Sequence, residues 1–193
     1  AENGVTELVV VAQDTTRYGE DIYGKSMLPE LLTALCEIDG FKWIRTLYCY
    51  PERITDELLD VIAKEDKLVK YLYLPIQHCN KTILKRMNRH GDRETLTALI
   101  KKIREKIPNV TLRTTLITGF PGETEEQFEE LCEFVKEIRF ERLGCFAYSP
   151  EEGTPAEKFE DQVPLKDRER RAEIIMEEQM IISDSFNEAA LDS

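Results

Sequence analysis

Five stretches rich in β-branched and aromatic residues alternate along the chain with stretches in which apolar side chains recur every three or four positions. Residues 5–11, 43–50, 71–77, 110–118 and 143–148 are of the strand kind. The first, Val-Thr-Glu-Leu-Val-Val-Val, is nearly all apolar, which predicts a strand buried on both faces. The third contains Pro75, which predicts an interruption there.

Between the strands the helical spacing is clear. Leu28, Leu31, Leu32 and Leu35 share one face of a helix over 28–38, with Pro29 tolerated in its first turn. Thr55 is placed to cap a helix with Leu58, Leu59 and Ile62 facing inward. Two patches follow at 81–88 and 93–106. A helix over 125–139 carries the stripe Phe128, Leu131, Val135 and Ile138, and a long charged helix from Pro164 onward carries Ile174, Ile175, Ile181 and Ile182.

Strand and helix thus alternate five times with strand starts roughly 28 to 40 residues apart, the size of a βαβ unit, so a parallel sheet is expected. Residues 1–4 read as the tail of a helix stopped by Gly4, and the last helix ends without a cap. The expectation is a single incomplete domain, 1–193, cut from a longer α/β chain: a partial (β/α)6 barrel of TIM type with about five βα units and the first unit missing. An open doubly wound sheet fits the same periodicity.

The segment 110–124, Val-Thr-Leu-Arg-Thr-Thr-Leu-Ile-Thr-Gly-Phe-Pro-Gly-Glu-Thr, joins a strand to a helix through Gly119 and Gly122, with Thr124 and Gln127 at capping-box spacing. Sites in parallel α/β folds lie at the carboxyl ends of strands. A tight βα turn needs such glycines even without a ligand. The residues that follow the five strands are polar in every case: Gln13 and Asp14, Tyr50 and Glu52, Gln77 and His78, Thr118 and Gly119, Tyr148 and Ser149.

Composition narrows the function. The chain has 193 residues, 41% hydrophobic and 33% charged, with a formal net charge of -12. No apolar run approaches a membrane span, so a cytoplasmic protein without a membrane partner is expected. So acidic a chain repels a phosphate backbone; direct nucleic-acid binding is not expected, and a basic protein is the easier partner. The five cysteines, at 36, 49, 79, 132 and 145, contain no Cys-x-x-Cys pair, which argues against a disulfide framework or a zinc ribbon. Cys132 falls on an apolar helical stripe and reads as a core residue.

Single polar positions have ordinary readings too. Gln77-His78 could be a hydrolytic or metal-binding pair, but two histidines without a ligand spacing do not build a zinc site. His90, among Arg86, Arg89 and Arg93, reads as solvated surface, and Asp14 with Arg17 as a loop ion pair. Arg45 and Arg113 sit inside apolar strands, where a charge needs a buried carboxylate or an anionic ligand. Serine-hydrolase, P-loop and dinucleotide-binding motifs are absent from the sequence.

Four segments carry a family likeness. They are Val-Val-Val-Ala-Gln-Asp-Thr-Thr-Arg-Tyr-Gly at 9–19, Pro-Ile-Gln-His-Cys-Asn at 75–80, Ile-Thr-Gly-Phe-Pro-Gly-Glu-Thr at 117–124, and Phe-Ala-Tyr-Ser-Pro-Glu-Glu-Gly-Thr-Pro-Ala at 146–156. Together they resemble the radical S-adenosylmethionine (SAM) methylthiotransferases, most closely the subgroup that modifies an aspartate of a small-subunit ribosomal protein. The Gly-Phe-Pro-Gly-Glu-Thr segment is shared by many radical SAM enzymes; the first and last segments point to the subgroup.

The resemblance implies a partial (β/α)6 barrel that holds SAM against a four-iron four-sulfur cluster. It also implies an N-terminal domain with a second such cluster and a C-terminal TRAM-like β domain in the parent. Reductive cleavage of SAM would give a 5′-deoxyadenosyl radical that takes a hydrogen from the aspartate β-carbon before methylthio transfer. Carried over by position, Gln13, Gln77, Thr115, Gly119 and Tyr148 line the SAM side of the rim, with Arg45 and Arg113 as candidates for the methionine carboxylate. The family's Cys-x-x-x-Cys-x-x-Cys belongs to the loop after the family's first strand, and the five cysteines here do not reproduce it. The chain alone is therefore expected to be catalytically silent. A transfer-RNA methylthiotransferase of the same superfamily and a non-enzymatic interaction module are the competing readings. The first strand's apolar edge is expected to promote self-association.

Overall fold

The computed structural model describes residues 1–191, and the chain divides into two compact units. One comprises Ala1–Pro75 with Leu99–Arg113, the other Ile76–Ala98 with Thr114–Ser193 as far as it is described. All five expected strands are present: β1 (Glu7–Val10), β2 (Trp43–Thr46), β3 (Tyr71–Gln77), β4 (Thr111–Thr118) and β5 (Arg142–Ala147). β1 and β2 pair in parallel, Glu7 opposite Trp43 and Val10 opposite Thr46, while the other three form a sheet in the order β3-β4-β5.

The helices are α1 (Glu20–Tyr23), α2 (Leu28–Cys36), α3 (Asp56–Lys64), α4 (Lys81–Arg86), α5 (Arg93–Lys106), α6 (Glu125–Ile138) and α7 (Leu165–Leu191). The caps behave as their residues dictate. Thr55 accepts a hydrogen bond from the Leu58 amide, and Thr124 and Gln127 form a complete capping box that starts α6. Among the described residues no helix is long and apolar enough to cross a membrane.

Three expectations change. Residues 5–11 yield only a four-residue strand, and it is not buried on both faces: Val5, Val9 and Val11 are 50%, 42% and 57% exposed. These odd-numbered positions share one side of the alternating chain, so it is one face of β1 that stays open to solvent. β2 stops at Thr46 because Tyr48 takes a left-handed φ of 60°. Pro75 does not interrupt β3, which is tolerable where a strand closes one end of its sheet and a missing N–H costs no ladder bond.

In the first unit the core gathers Leu28, Leu32, Ile44, Leu58, Leu59 and Ile62. In the second, α6 buries Phe128, Leu131, Phe134, Val135 and Ile138, and α7 lays Ile175 and Ile182 against the sheet. Ile174 and Ile181 instead face outward, 37% and 64% exposed. α7 is therefore not a purely solvated helix: its buried stripe reads Arg168, Arg171, Ile175, Gln179, Ile182.

Candidate functional site

The strand ends of the second unit converge on a buried ionic network. β3 ends at Gln77 in a left-handed conformation, φ 72°, which turns the chain so that His78 points inward and is fully buried. The Asn80 amide donates to His78 Nδ1 at 2.9 Å, so Nδ1 is the acceptor nitrogen and Nε2 carries the proton. His78 Nε2 stands 3.3 Å from Glu123 Oε2, close enough for charge and dipole to attract, although the alignment is too poor for a proper hydrogen bond.

Glu123 ends the turn that follows β4. Its other oxygen, Oε1, accepts from the Gly119 amide at 3.0 Å and from Arg171 Nη1 at 2.7 Å, and Arg171 Nη1 also donates to the Glu123 carbonyl at 3.1 Å. Both side chains are withdrawn from water, 0% exposed for Glu123 and 7% for Arg171. A carboxylate taken out of water at this depth requires such a partner.

Gly119 is required here for reasons of packing. It sits at φ 69°, and a Cβ on it would lie 2.3 Å from Arg168 Cγ and 2.9 Å from Arg168 Cα. The close approach that the missing side chain permits is therefore that of α7. Arg168 in turn donates from Nη1 to the Tyr148 carbonyl at 3.1 Å and from Nη2 to Gln162 Oε1 at 3.1 Å, while its own carbonyl accepts from Thr118 Oγ1 at 3.2 Å. The Tyr148 amide donates to the Thr118 carbonyl at 2.8 Å, and the Tyr148 ring meets Phe120 edge-on at 5.1 Å.

Gln77, Gly119 and Tyr148 are thus joined through their immediate sequence neighbours. Thr115 lies on β4 in the same unit, half-buried. Two of these residues present unmet polar atoms: Gln77 Oε1 and Tyr148 Oη are buried and take no hydrogen bond among the described residues. Burial also raises the Tyr148 phenol above its ordinary range. A buried acceptor and a buried hydroxyl left unpaired are what a polar ligand would satisfy.

The other three sequence candidates belong to the first unit. Gln13 is exposed at the end of β1. Arg45 donates from Nε to Glu7 on the paired strand at 2.9 Å and lies 4.8 Å from the Tyr71 ring centroid, so its partner within the strand is a carboxylate of the chain itself. Arg113 is exposed and stacks on Tyr73 at 5.0 Å. Asp14 does not pair with Arg17: its Oδ1 caps the Thr16 amide at 3.0 Å and its Oδ2 is 3.6 Å from Arg53 Nε, while Arg17 pairs with Glu20. His90 is on the surface, as its arginine-rich setting predicts.

Metal donors are not assembled. Among the described residues no group of three His, Cys, Asp or Glu side chains could hold a metal ion. The five cysteines are free thiols, and burial opposes the thiolate form: Cys132, half-buried, is pushed up to about 11, Cys145 up to about 12, and Cys79 higher still. An iron–sulfur cluster does not fit this donor set.

The residues missed by sequence reading are Arg168, Arg171 and Glu123, which hold the turn from behind. For the two arginines the signal is the spacing 168, 171, 175, 179, 182 on one face of a helix otherwise dense in charge.

Comparison with known proteins bears on the whole chain. Residues 1–135 match the family model described as the Radical SAM superfamily. The chain is 57% identical over 183 residues to the ribosomal protein uS12 methylthiotransferase RimO of Lachnoclostridium phytofermentans, covering 95% of this chain and 42% of that protein. It is 52% identical to the protein of the same name from Clostridium tetani, again covering 42% of that relative's length. The chain therefore spans well under half of the relatives it matches. Among solved structures, the coproporphyrinogen III oxidase HemN of Escherichia coli, described as a radical SAM enzyme, aligns with a TM-score of 0.68 at 22% identity, covering 94% of this chain and 40% of that one.

Proposed function

The chain belongs to the radical SAM superfamily, and from that premise we propose that it is the SAM-holding core of an enzyme that methylthiolates the β-carbon of an aspartate in ribosomal protein uS12. The observation that carries the reading is the 57% identity, over nearly the whole chain, to a protein named for that activity. A match of that length reaches far beyond the turn common to the superfamily. The net charge of -12 supports a basic protein as substrate over a transfer RNA.

SAM fits the second unit. Gln77 and Tyr148 hold unpaired buried polar atoms, and Thr115 and the Gly119 turn lie on the neighbouring strand. We assign these four residues to its binding; Gln13, Arg45 and Arg113 belong to the first unit, where Arg45 is already engaged by Glu7. When bound and reduced, SAM supplies hydrogen abstraction. The chain's own contribution is to hold the site: Gln77 and Tyr148 present an acceptor and a donor from a dry surface, where each hydrogen bond counts for more than in water. Glu123 accepts from both Arg171 and the Gly119 amide, which keeps that amide directed into its own turn rather than toward a ligand. The iron–sulfur cluster, by contrast, finds no ligands among the described residues. We infer that this chain by itself does not cleave SAM, and that the parent supplies the cluster cysteines, a second cluster, a C-terminal β domain and a cytoplasmic setting.

The test is transfer. The full-length gene product, reconstituted anaerobically with iron and sulfide, is given SAM, a reductant and either uS12 or transfer RNA. The expected result is a uS12 peptide heavier by one methylthio group in place of one hydrogen, at aspartate. Modified tRNA with untouched uS12 would replace the substrate in this reading, and a colourless protein with no transfer to either would end it.

A further inference from the structure

β5 closes one end of the β3-β4-β5 sheet, so among the described residues it has a strand partner on one side only. The Tyr148 amide points to β4, where it reaches the Thr118 carbonyl. By alternation along the strand the Cys145 amide points to the opposite, outer edge. What meets it there is not a carbonyl. Met176 of α7 offers its thioether sulfur, 3.3 Å from the Cys145 nitrogen. A thioether is a weak acceptor, and a methionine side chain is flexible, so this cover is easily exchanged for a peptide carbonyl.

Beside this edge runs a groove of about 480 Å³ lined by Leu143, Met176, Met180 and Gln179, with Glu173 and Glu177 as the charged side chains of its lining. Met176 and Met180 are 41% and 61% exposed. Glu173 and Glu177 stand four residues apart on one helical face, where like charges repel and a cation between them relieves the repulsion. The groove therefore combines an available strand edge, an adaptable apolar floor and carboxylates of one sign.

We propose that the outer edge of β5, together with the Met176 and Met180 face of α7, is a docking surface for an extended, basic segment of a protein partner. The segment adds a strand beside β5, its carbonyl replacing the Met176 sulfur on the Cys145 amide. Alternate side chains then lie on the methionines while lysines or arginines reach Glu173 and Glu177. The proposal needs no cofactor and does not depend on the reaction assigned above.

The experiment is a titration of the isotope-labelled chain with a synthetic octapeptide of alternating lysine and valine, followed by nuclear magnetic resonance. The expected result is movement of the Cys145 and Ala147 amides and of the Met176 and Met180 methyls, with affinity falling severalfold as salt is raised. Charge reversal by Glu173→Lys with Glu177→Lys should remove the binding while the circular dichroism stays that of the parent chain. If that variant does not fold, the salt dependence of the same resonances in the unaltered chain decides. Shifts scattered away from β5 and α7 would overturn the proposal. So would equal binding of a glutamate-and-valine octapeptide, or the same shifts on concentrating the chain alone, which would make the occupant a second copy.

Discussion

Two strand-end loops of this molecule are built from the same parts and behave differently. After β1, Asp14 meets Arg53, and Gly19 turns the chain at φ 82°. After β4, Glu123 meets Arg171, and Gly119 turns the chain at φ 69°. In the first loop the guanidinium is 35% exposed and is shared with Glu20; in the second, the carboxylate is fully buried and the guanidinium nearly so. Water decides the difference. An ion pair that water can reach is replaceable by hydration at little cost, whereas breaking the buried pair strands Glu123 away from water with only the Gly119 amide left to donate to it. This holds even though Arg171 keeps a second, half-exposed partner in Glu125 at 2.9 Å.

The sharpest way to break this comparison is to remove one charge from the sealed pair. Arg171→Leu should leave Glu123 buried beside His78 with its strongest donor gone, and lower the unfolding free energy by about 3–5 kcal/mol in chemical denaturation. The double change Arg171→Leu with Glu123→Leu should recover part of that loss, because no buried charge is then left alone, although the Gly119 amide still loses its acceptor. A loss below about 1 kcal/mol for the single change would mean that water reaches Glu123, and the contrast between the loops would collapse.

The glycines give a second, smaller test, because two of them share a backbone conformation and differ in surroundings. Gly24 lies at φ 70°, and a Cβ added there would meet nothing within 4 Å, whereas one added to Gly119, at φ 69°, would meet Arg168 at 2.3 Å. Gly24→Ala carries only the left-handed strain, about 1 kcal/mol. Gly119→Ala carries the same strain and must also push back the α7 backbone, so a loss of about 2–4 kcal/mol is expected. Thermal melts of the two variants measure the difference directly. Equal losses would mean that α7 yields freely at Arg168.

How far the sequence reveals this arrangement depends on the kind of residue. The apolar periods locate every strand, and the capping box at Thr124 and the cap at Thr55 locate their helix starts, because those signals are local and have one physical solution. Gln77, Gly119 and Tyr148 are legible as strand-end positions. Arg168 and Arg171 are not, since an arginine in a charged helix reads as solvated until the tertiary contact is known. Arg45 shows the converse: its need for a partner is legible, but whether that partner is Glu7 or a ligand is settled only by the register of β1 against β2. β1 itself misleads because an apolar run looks the same whether neighbours cover one face or two.

The smallest expected effect sharpens the comparison from its exposed side. The hydrogen bond from Arg53 holds the Glu20 carboxyl below its usual value of 4.5, with a further contribution from Arg17. A carboxyl whose pKa is lower in the folded chain than in the unfolded one adds stability above the unfolded value, and that contribution disappears as pH falls through the folded one. Arg53→Leu should therefore cost a little melting temperature at neutral pH and nothing once the pH is well below 4.5. Raised salt should shrink the neutral-pH cost as well, because these charges are open to solvent. Melting curves of the parent chain and the variant, recorded at both pH values and at low and high salt, test each step. A cost that persists in acid and in salt would show that Arg53 acts through packing of its carbon stem, and the loop after β1 would then resemble the loop after β4 more than its exposure suggests.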